Sequence, residues 1–172
     1  MIQDLNQSLK RQCAEQRERC QYTSASLFIW LRTLRLIRIG FIIAPIMLGG
    51  LAGWDILKGA NGHPVFAAAM ALLASIVPAI YSGLKLDDHL QLASKLAGEY
   101  KNLEILFGIL ENVGSLKPFP EFEAEFVKAF DRLQMANTSA YTAPEWCFTQ
   151  ARKKIMSGHY SFDNNTPSPT TA

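Results

Sequence analysis

The chain has 172 residues, close to half of them apolar, and a formal net charge of +2. That length suits one domain-sized unit, and so small a charge argues against a nucleic-acid partner. Three cysteines, an odd number with no CxxC pair, argue against a disulfide framework.

The charge is unevenly spread. Residues 1–38 carry seven Lys/Arg against three acids, residues 39–84 hold only Asp55 and Lys58, and residues 85–172 carry nine basic against eleven acidic side chains. The apolar middle begins after a long charged segment, too late for a secretory signal peptide.

Residues 1–35 read as an N-terminal cytoplasmic helix, helical from residue 2. They lack Gly and Pro, and Ile2, Leu5, Leu9 and Cys13 recur at helical spacing, resuming at Leu27, Trp30, Leu31 and Leu34. The charged middle, Arg11 to Arg19, suits a solvated face. Cys13 and Cys20 are seven apart and share a face. With Cys147 they read as buried, inert thiols.

Residues 36–57 form the first membrane segment, uncharged from Ile39 to Trp54. Residues 65–84 form the second, with no charge at all. About twenty residues cross a hydrocarbon core near 30 Å, and neither segment has the polar face of a soluble core helix. The outer loop, residues 58–64, contains Gly59, Asn61, Gly62 and Pro64, the composition of a tight reversal. A loop this short makes the two spans antiparallel neighbours. Arg32, Arg35 and Arg38 precede the first span and Lys85 follows the second, so the positive-inside rule puts both termini in the cytoplasm. Trp30, Trp54 and Tyr81 are candidate interface anchors.

Residues 85–160 read as cytoplasmic helices. The second span is expected to run on unbroken through residue 113. Leu86, His89, Ala93, Leu96, Tyr100, Leu103, Phe107 and Leu110 alternate at spacings of three and four, an a/d-like stripe suited to oligomerisation. Gly114 ends that helix. A further segment, about 120–137, puts Phe122, Phe126, Phe130 and Leu133 on one face. Thr142-Ala-Pro-Glu145 reads as a capping box for a last helix that turns Trp146, Ala151 and Ile155 inward and stops at Gly158. The tail 161–172 reads as disordered. The expected fold is therefore all-α: an antiparallel two-transmembrane helical hairpin with a cytoplasmic helical bundle.

Within the spans, small residues give the sharpest signal. Ala67, Ala71, Ser75, Ala79 and Gly83 recur every four residues, and Gly49 and Gly53 form GxxxG. Small faces let helices in lipid approach closely. They serve either packing inside the hairpin or contact between subunits. Pro45 and Pro78 lie mid-span as candidate kinks. Ser75, Pro78 and Ser82 are the candidate pore-lining or gating positions. Asp55, beside Asn61 and His63, is either an interfacial acid or one member of a carboxylate ring at a pore mouth. No charge lies mid-membrane, which argues against a proton relay.

Chemistry is sparse. His63, His89 and His159 fall in different segments, and there is no metal-ligand spacing, phosphate loop or nucleophile elbow. No enzyme activity, cofactor or metal is expected. Arg32, Arg35 and Arg38, or Arg152, Lys153 and Lys154, are the candidate anion contacts. Their simpler roles are lipid anchoring and complementing a helix dipole.

A polar N-terminal helix, a short two-span hairpin, an amphipathic continuation and a Trp-started basic last helix together resemble the SLATT domain. The likeness rests on Tyr22-Thr-Ser-Ala-Ser26, on Trp146-Cys-Phe-Thr-Gln-Ala-Arg-Lys-Lys-Ile155 and on Gly158-His-Tyr160, and covers most of residues 10–160. The resemblance implies a bacterial defence effector, without a catalytic constellation, that oligomerises and permeabilises the inner membrane when a partner system senses infection. A nucleotide second messenger or a sensor protein would supply the trigger. A non-conducting anchor that recruits a partner through its cytoplasmic helices is the alternative.

Overall fold

A computed structural model describes residues 2–57, 59, 63–139 and 141–157. Five α-helices account for almost all of them: α1 (Ile2–Leu57), α2 (Pro64–Gly83), α3 (Leu86–Asn112), α4 (Phe119–Asn137) and α5 (Glu145–Met156). A short 3-10 turn, Gly114–Leu116, follows α3. The expectations for Asn61, Gly62, the Gly158 stop, His159 and the 161–172 tail lie outside the described residues. The chain divides into two compact units, residues 1–29 with 97–172, and residues 30–96. α1 passes from one to the other without a break near residue 35.

The first unit packs the start of α1, the end of α3, α4 and α5. On α1 the buried positions include Cys13, Cys20, Ser24 and Leu27, spaced seven, four and three, with Leu9, Ala25 and Ser26 also covered. Cysteine and serine carry the seam across the charged middle, because both are small enough for a facing helix to approach. On α3, Tyr100, Leu103, Phe107 and Leu110 are buried at the same rhythm. α4 contributes Phe122, Ala129 and Leu133, and α5 contributes Cys147 and Ala151. Phe107 meets Phe126 edge-on, with ring centroids 6.1 Å apart. Ion pairs tie the rim: Arg17 to Glu111 at 2.9 Å and Arg132 to Glu99 at 2.8 Å. Gly114 is buried because it has to be. A Cβ there would stand 3.2 Å from carbons of both Leu110 and Phe122.

Two expectations about this unit change. The stripe of α3 is buried inside a single chain, Ala93 and Leu96 in the second unit and Tyr100, Leu103, Phe107 and Leu110 in the first. It forms a core seam and is not free for contact between subunits. Leu86 is half-buried and His89 exposed, so the seam does not reach the start of α3. The capping box does not form either. Pro144 occupies the N-cap position of α5 with no side-chain cap hydrogen bond, which puts Glu145 at the first helical position instead of the third. That register buries Cys147 and leaves Trp146 outside.

The second unit holds the end of α1, all of α2 and the start of α3. The Phe41 and Tyr81 rings meet at a tilt, with centroids 5.9 Å apart. At the other end the Asp55 carboxylate accepts the His63 backbone N–H at 2.8 Å. These two contacts set α1 and α2 side by side with opposite sense. The inner face of α2 follows helical spacing through Ala67, Met70, Ala74, Val77 and Tyr81.

α2 does not run on into α3. Lys85 adopts φ +46°, the left-handed conformation that glycine favours, and breaks the helix there. The Leu84 N–H still reaches Ile80 O at 3.0 Å, closing α2 before the turn. Beyond it, Asp87 accepts from Arg38 Nε at 3.2 Å and from the Tyr81 hydroxyl at 2.7 Å. One carboxylate thus joins α1, α2 and α3 within this unit, and the broken helix is what turns Asp87 toward its partners. Left-handed backbone costs a non-glycine residue about 1–2 kcal/mol. Lys85→Gly should therefore stabilise the fold by about 1 kcal/mol, read as a higher melting temperature in detergent. An unchanged or lower value would show that the turn carries no strain.

Candidate functional site

The apolar helices dominate the surface. α1 and α2 each contain an 18-residue stretch of mean hydropathy 1.9 and 2.0, and only 6% of each stretch is buried. Ile39, Ile42, Ile43, Ile46, Met47 and Leu51 stand exposed on α1, and Leu72, Leu73, Ile76 and Ile80 on α2. Covering one such side chain is worth about 1.5–3 kcal/mol. Together they exceed the ~5–15 kcal/mol that holds a whole domain folded. Water is therefore a poor environment for this surface. Both helices are long and apolar enough to cross a membrane. α2 alone, at about 1.5 Å per residue, matches a hydrocarbon core.

The small residues divide into two sets. Ala67 is buried and belongs to the inner face of α2. Ala71, Ser75, Pro78, Ala79, Ser82 and Gly83 are exposed. Gly49 is exposed and Gly53 half-buried, and a Cβ added at Gly49, Gly53 or Gly83 would meet nothing within 4 Å. Packing of α1 on α2 therefore does not use the small-residue stripe beyond Ala67. The larger residues Met70, Val77 and Tyr81 are half-buried instead, and Tyr81 meets Phe41 of α1. The Ser75 hydroxyl donates back to Leu72 O at 2.7 Å, satisfied within its own helix.

Asp55 takes a different role from the one expected. It is 7% exposed and engaged with the His63 N–H. The carboxylate fastens the entry to α2, where the helix dipole favours negative charge, and is not presented outward as part of a rim.

The candidate cations fall in both units. Arg32 and Arg35 are exposed, while Arg38 is paired with Asp87. Arg152 and Lys153 are exposed at the end of α5, and Lys154 is half-buried. Among the described residues no group of three or more His, Cys, Asp or Glu side chains is placed to hold a metal ion.

Cys13, Cys20 and Cys147 are free and buried. Burial, reinforced by nearby Glu111, pushes the Cys13 thiol up to about 11, and burial with Glu104 nearby pushes Cys20 up to about 12. Burial also raises Cys147. The thiolate is the reactive form, so a maleimide at pH 8 should label the native protein slowly and all three thiols at once after unfolding. The linkage has a definite sign. A thiol raised in the folded state helps stability fully below its ordinary value near 9, and that help drains away as pH climbs through 11 and 12. Rapid native labelling at pH 8 would contradict the burial.

The clasp of Arg38, Asp87 and Tyr81 was not anticipated, since it depends on a helix break that hydropathy does not reveal. No family model matches the chain, and neither a curated protein nor a solved structure does.

Proposed function

We propose that this chain is a two-span membrane protein whose hairpin assembles with copies of itself and permeabilises the membrane. One observation carries the reading. The face of α2 that holds Ala71, Ser75, Ala79 and Gly83 is unused by α1, although small faces are what lets helices associate in lipid. A second α2 can approach there closely, and Ser75, Pro78 and Ser82 lie beside that contact as the pore-lining set. Orientation follows from Arg32, Arg35, Arg38 and Lys85 at one end of the spans, which favours both termini in the cytoplasm. The helices of the first unit then form a cytoplasmic bundle. The resemblance to the SLATT domain supports an effector in a bacterial anti-phage system, sited in the inner membrane and triggered by a nucleotide signal or a partner sensor. Such a signal has to bind the open assembly better than the closed one.

The test is membrane potential in bacteria during induced expression, followed with a voltage-sensitive dye. Rapid depolarisation supports the pore. A potential that stays intact, with the candidate trigger system supplied, removes it in favour of a non-conducting anchor or scaffold. One observation favours that second reading: Ile105 and Ile109 at the end of α3, with Val113 and Leu116 just beyond it, are exposed apolar residues that a recruited partner would cover.

A further inference from the structure

The first unit contains a cleft that neither the membrane reading nor the sequence anticipated. It has two lobes. One, about 290 Å³, is walled by Tyr100, Tyr141 and Phe148, with Asn137 and Thr142 at its edge. The other, about 280 Å³, is lined by Gln16, Arg19, Cys20 and Leu133. Thr23, Tyr100 and Asn137 line both, so the lobes are two ends of one cleft. Together they reach the range of about 300–1,000 Å³ usual for small-molecule sites.

The chemistry of the two ends differs. The first is aromatic, and the Phe148 ring is steadied there by Tyr22, with centroids 5.9 Å apart. Flat aromatic walls suit a flat ring. The second end is a set of donors. Arg19 is exposed, and its guanidinium makes no ion pair with the described residues. Asn137 lies between the ends. Its Oδ1 accepts the Tyr100 hydroxyl at 2.8 Å, which leaves the amide N–H groups as donors for a ligand. The Thr23 hydroxyl is occupied, donating to Arg19 O at 2.9 Å. No carboxylate lines either lobe. Cys20 stays a neutral thiol at any physiological pH, so it adds no repelling charge. An aromatic slot that opens onto an unpaired guanidinium and an amide donor, with no acid in its lining, is complementary to a flat ring bearing an anion.

We propose that this cleft binds a small planar aromatic ligand carrying an anionic group, with the ring between Tyr100 and Phe148 and the anion at Arg19 and Asn137. The site stands on the first unit alone, so it holds whether the protein is a pore or an anchor.

The experiment is equilibrium dialysis of the full chain in detergent micelles against radiolabelled adenosine monophosphate, which joins a flat ring to a phosphate. Adenosine and inorganic phosphate serve as the two half-ligands. Saturable binding of one adenosine monophosphate per chain is expected, with each half-ligand about tenfold weaker or worse, since a charge-assisted contact is worth roughly that factor. Arg19→Ala should weaken binding about tenfold by the same measure. Asn137→Asp is the sharper variant. It keeps the oxygen that accepts from Tyr100 and so keeps the fold, but it places a carboxylate against the anion and should abolish binding. Melting curves without ligand that match the wild type verify that both variants fold. No saturable binding up to several millimolar overturns the proposal. So does binding that Asn137→Asp and Arg19→Ala leave unchanged.

Discussion

Phe107→Ala should cost the first unit about 3–5 kcal/mol, the range for truncating a large buried aromatic. The side chain is fully buried near the C-terminal end of α3, between Leu103 and Leu110 on the same seam, and its ring meets Phe126 edge-on. Truncation opens a cavity that rigid helices on several sides cannot close, so the transfer loss and the cavity term add. Ile105→Ala is the natural control. It lies two residues away on the same helix, but its side chain is 53% exposed and should cost less than about 1 kcal/mol. In a chain of this length a loss of 3–5 kcal/mol lowers the melting temperature by about 10 °C. Circular dichroism at 222 nm in detergent measures it. Equal shifts in the two variants would mean that α3 is loose in solution and that its seam is no core.

The rhythm that predicts the burial of Phe107 was legible from spacing alone, as were the helical content and the two apolar segments. What spacing leaves open is the partner of a buried face. An a/d-like stripe reads the same whether its complement is another chain or an earlier part of the same one. Here the complement on α1 was obscured because Cys20 and Ser24 interrupt an otherwise apolar pattern, in a stretch whose charges look solvated. A similar ambiguity held inside the spans. When every position is apolar, hydropathy does not distinguish the face of α2 that touches α1 from the faces that do not. Residue size hints at the small stripe. The structure half-buries Met70, Val77 and Tyr81 instead, and the Tyr81 ring meets Phe41 of α1. The break at Lys85 was hidden for a different reason. Glycine is the usual mark of a left-handed turn, and lysine there gives no warning. With that break unseen, the junction of Asp87 with Arg38 and Tyr81 had no visible cause. The aromatic cleft gathers residues from α1, α3, α4 and α5 and the segment before α5, a convergence that exists only once the helices pack.

The open face of α2 leads to the largest functional effect. Ala79→Leu should abolish the depolarisation proposed for the wild type, and Ala71→Leu, two steps of four earlier on the same stripe, should do the same. Neither side chain is covered by α1, so neither substitution strains the hairpin. In lipid a leucine there is as soluble as the alanine it replaces. The fold and the amount of protein in the membrane should therefore not change. The approach of a second helix does change. Backbones that meet at alanine and glycine lose close contact when a four-carbon side chain is inserted, and the packing that drives association in lipid is lost with it. Immunoblots of the membrane fraction, crosslinking and the voltage-sensitive dye should be read on the same cells. Equal protein, monomeric crosslinking pattern and preserved potential in both variants support assembly through this stripe. Depolarisation that persists undiminished in Ala79→Leu and Ala71→Leu alike would remove the stripe as an interface. The search for the contact would then move to the GxxxG face of α1, where Gly49 and Gly53 also leave room for a close neighbour. Gly49→Leu is the variant that decides there, because a Cβ at this exposed position meets nothing within 4 Å and the added bulk points at a second copy.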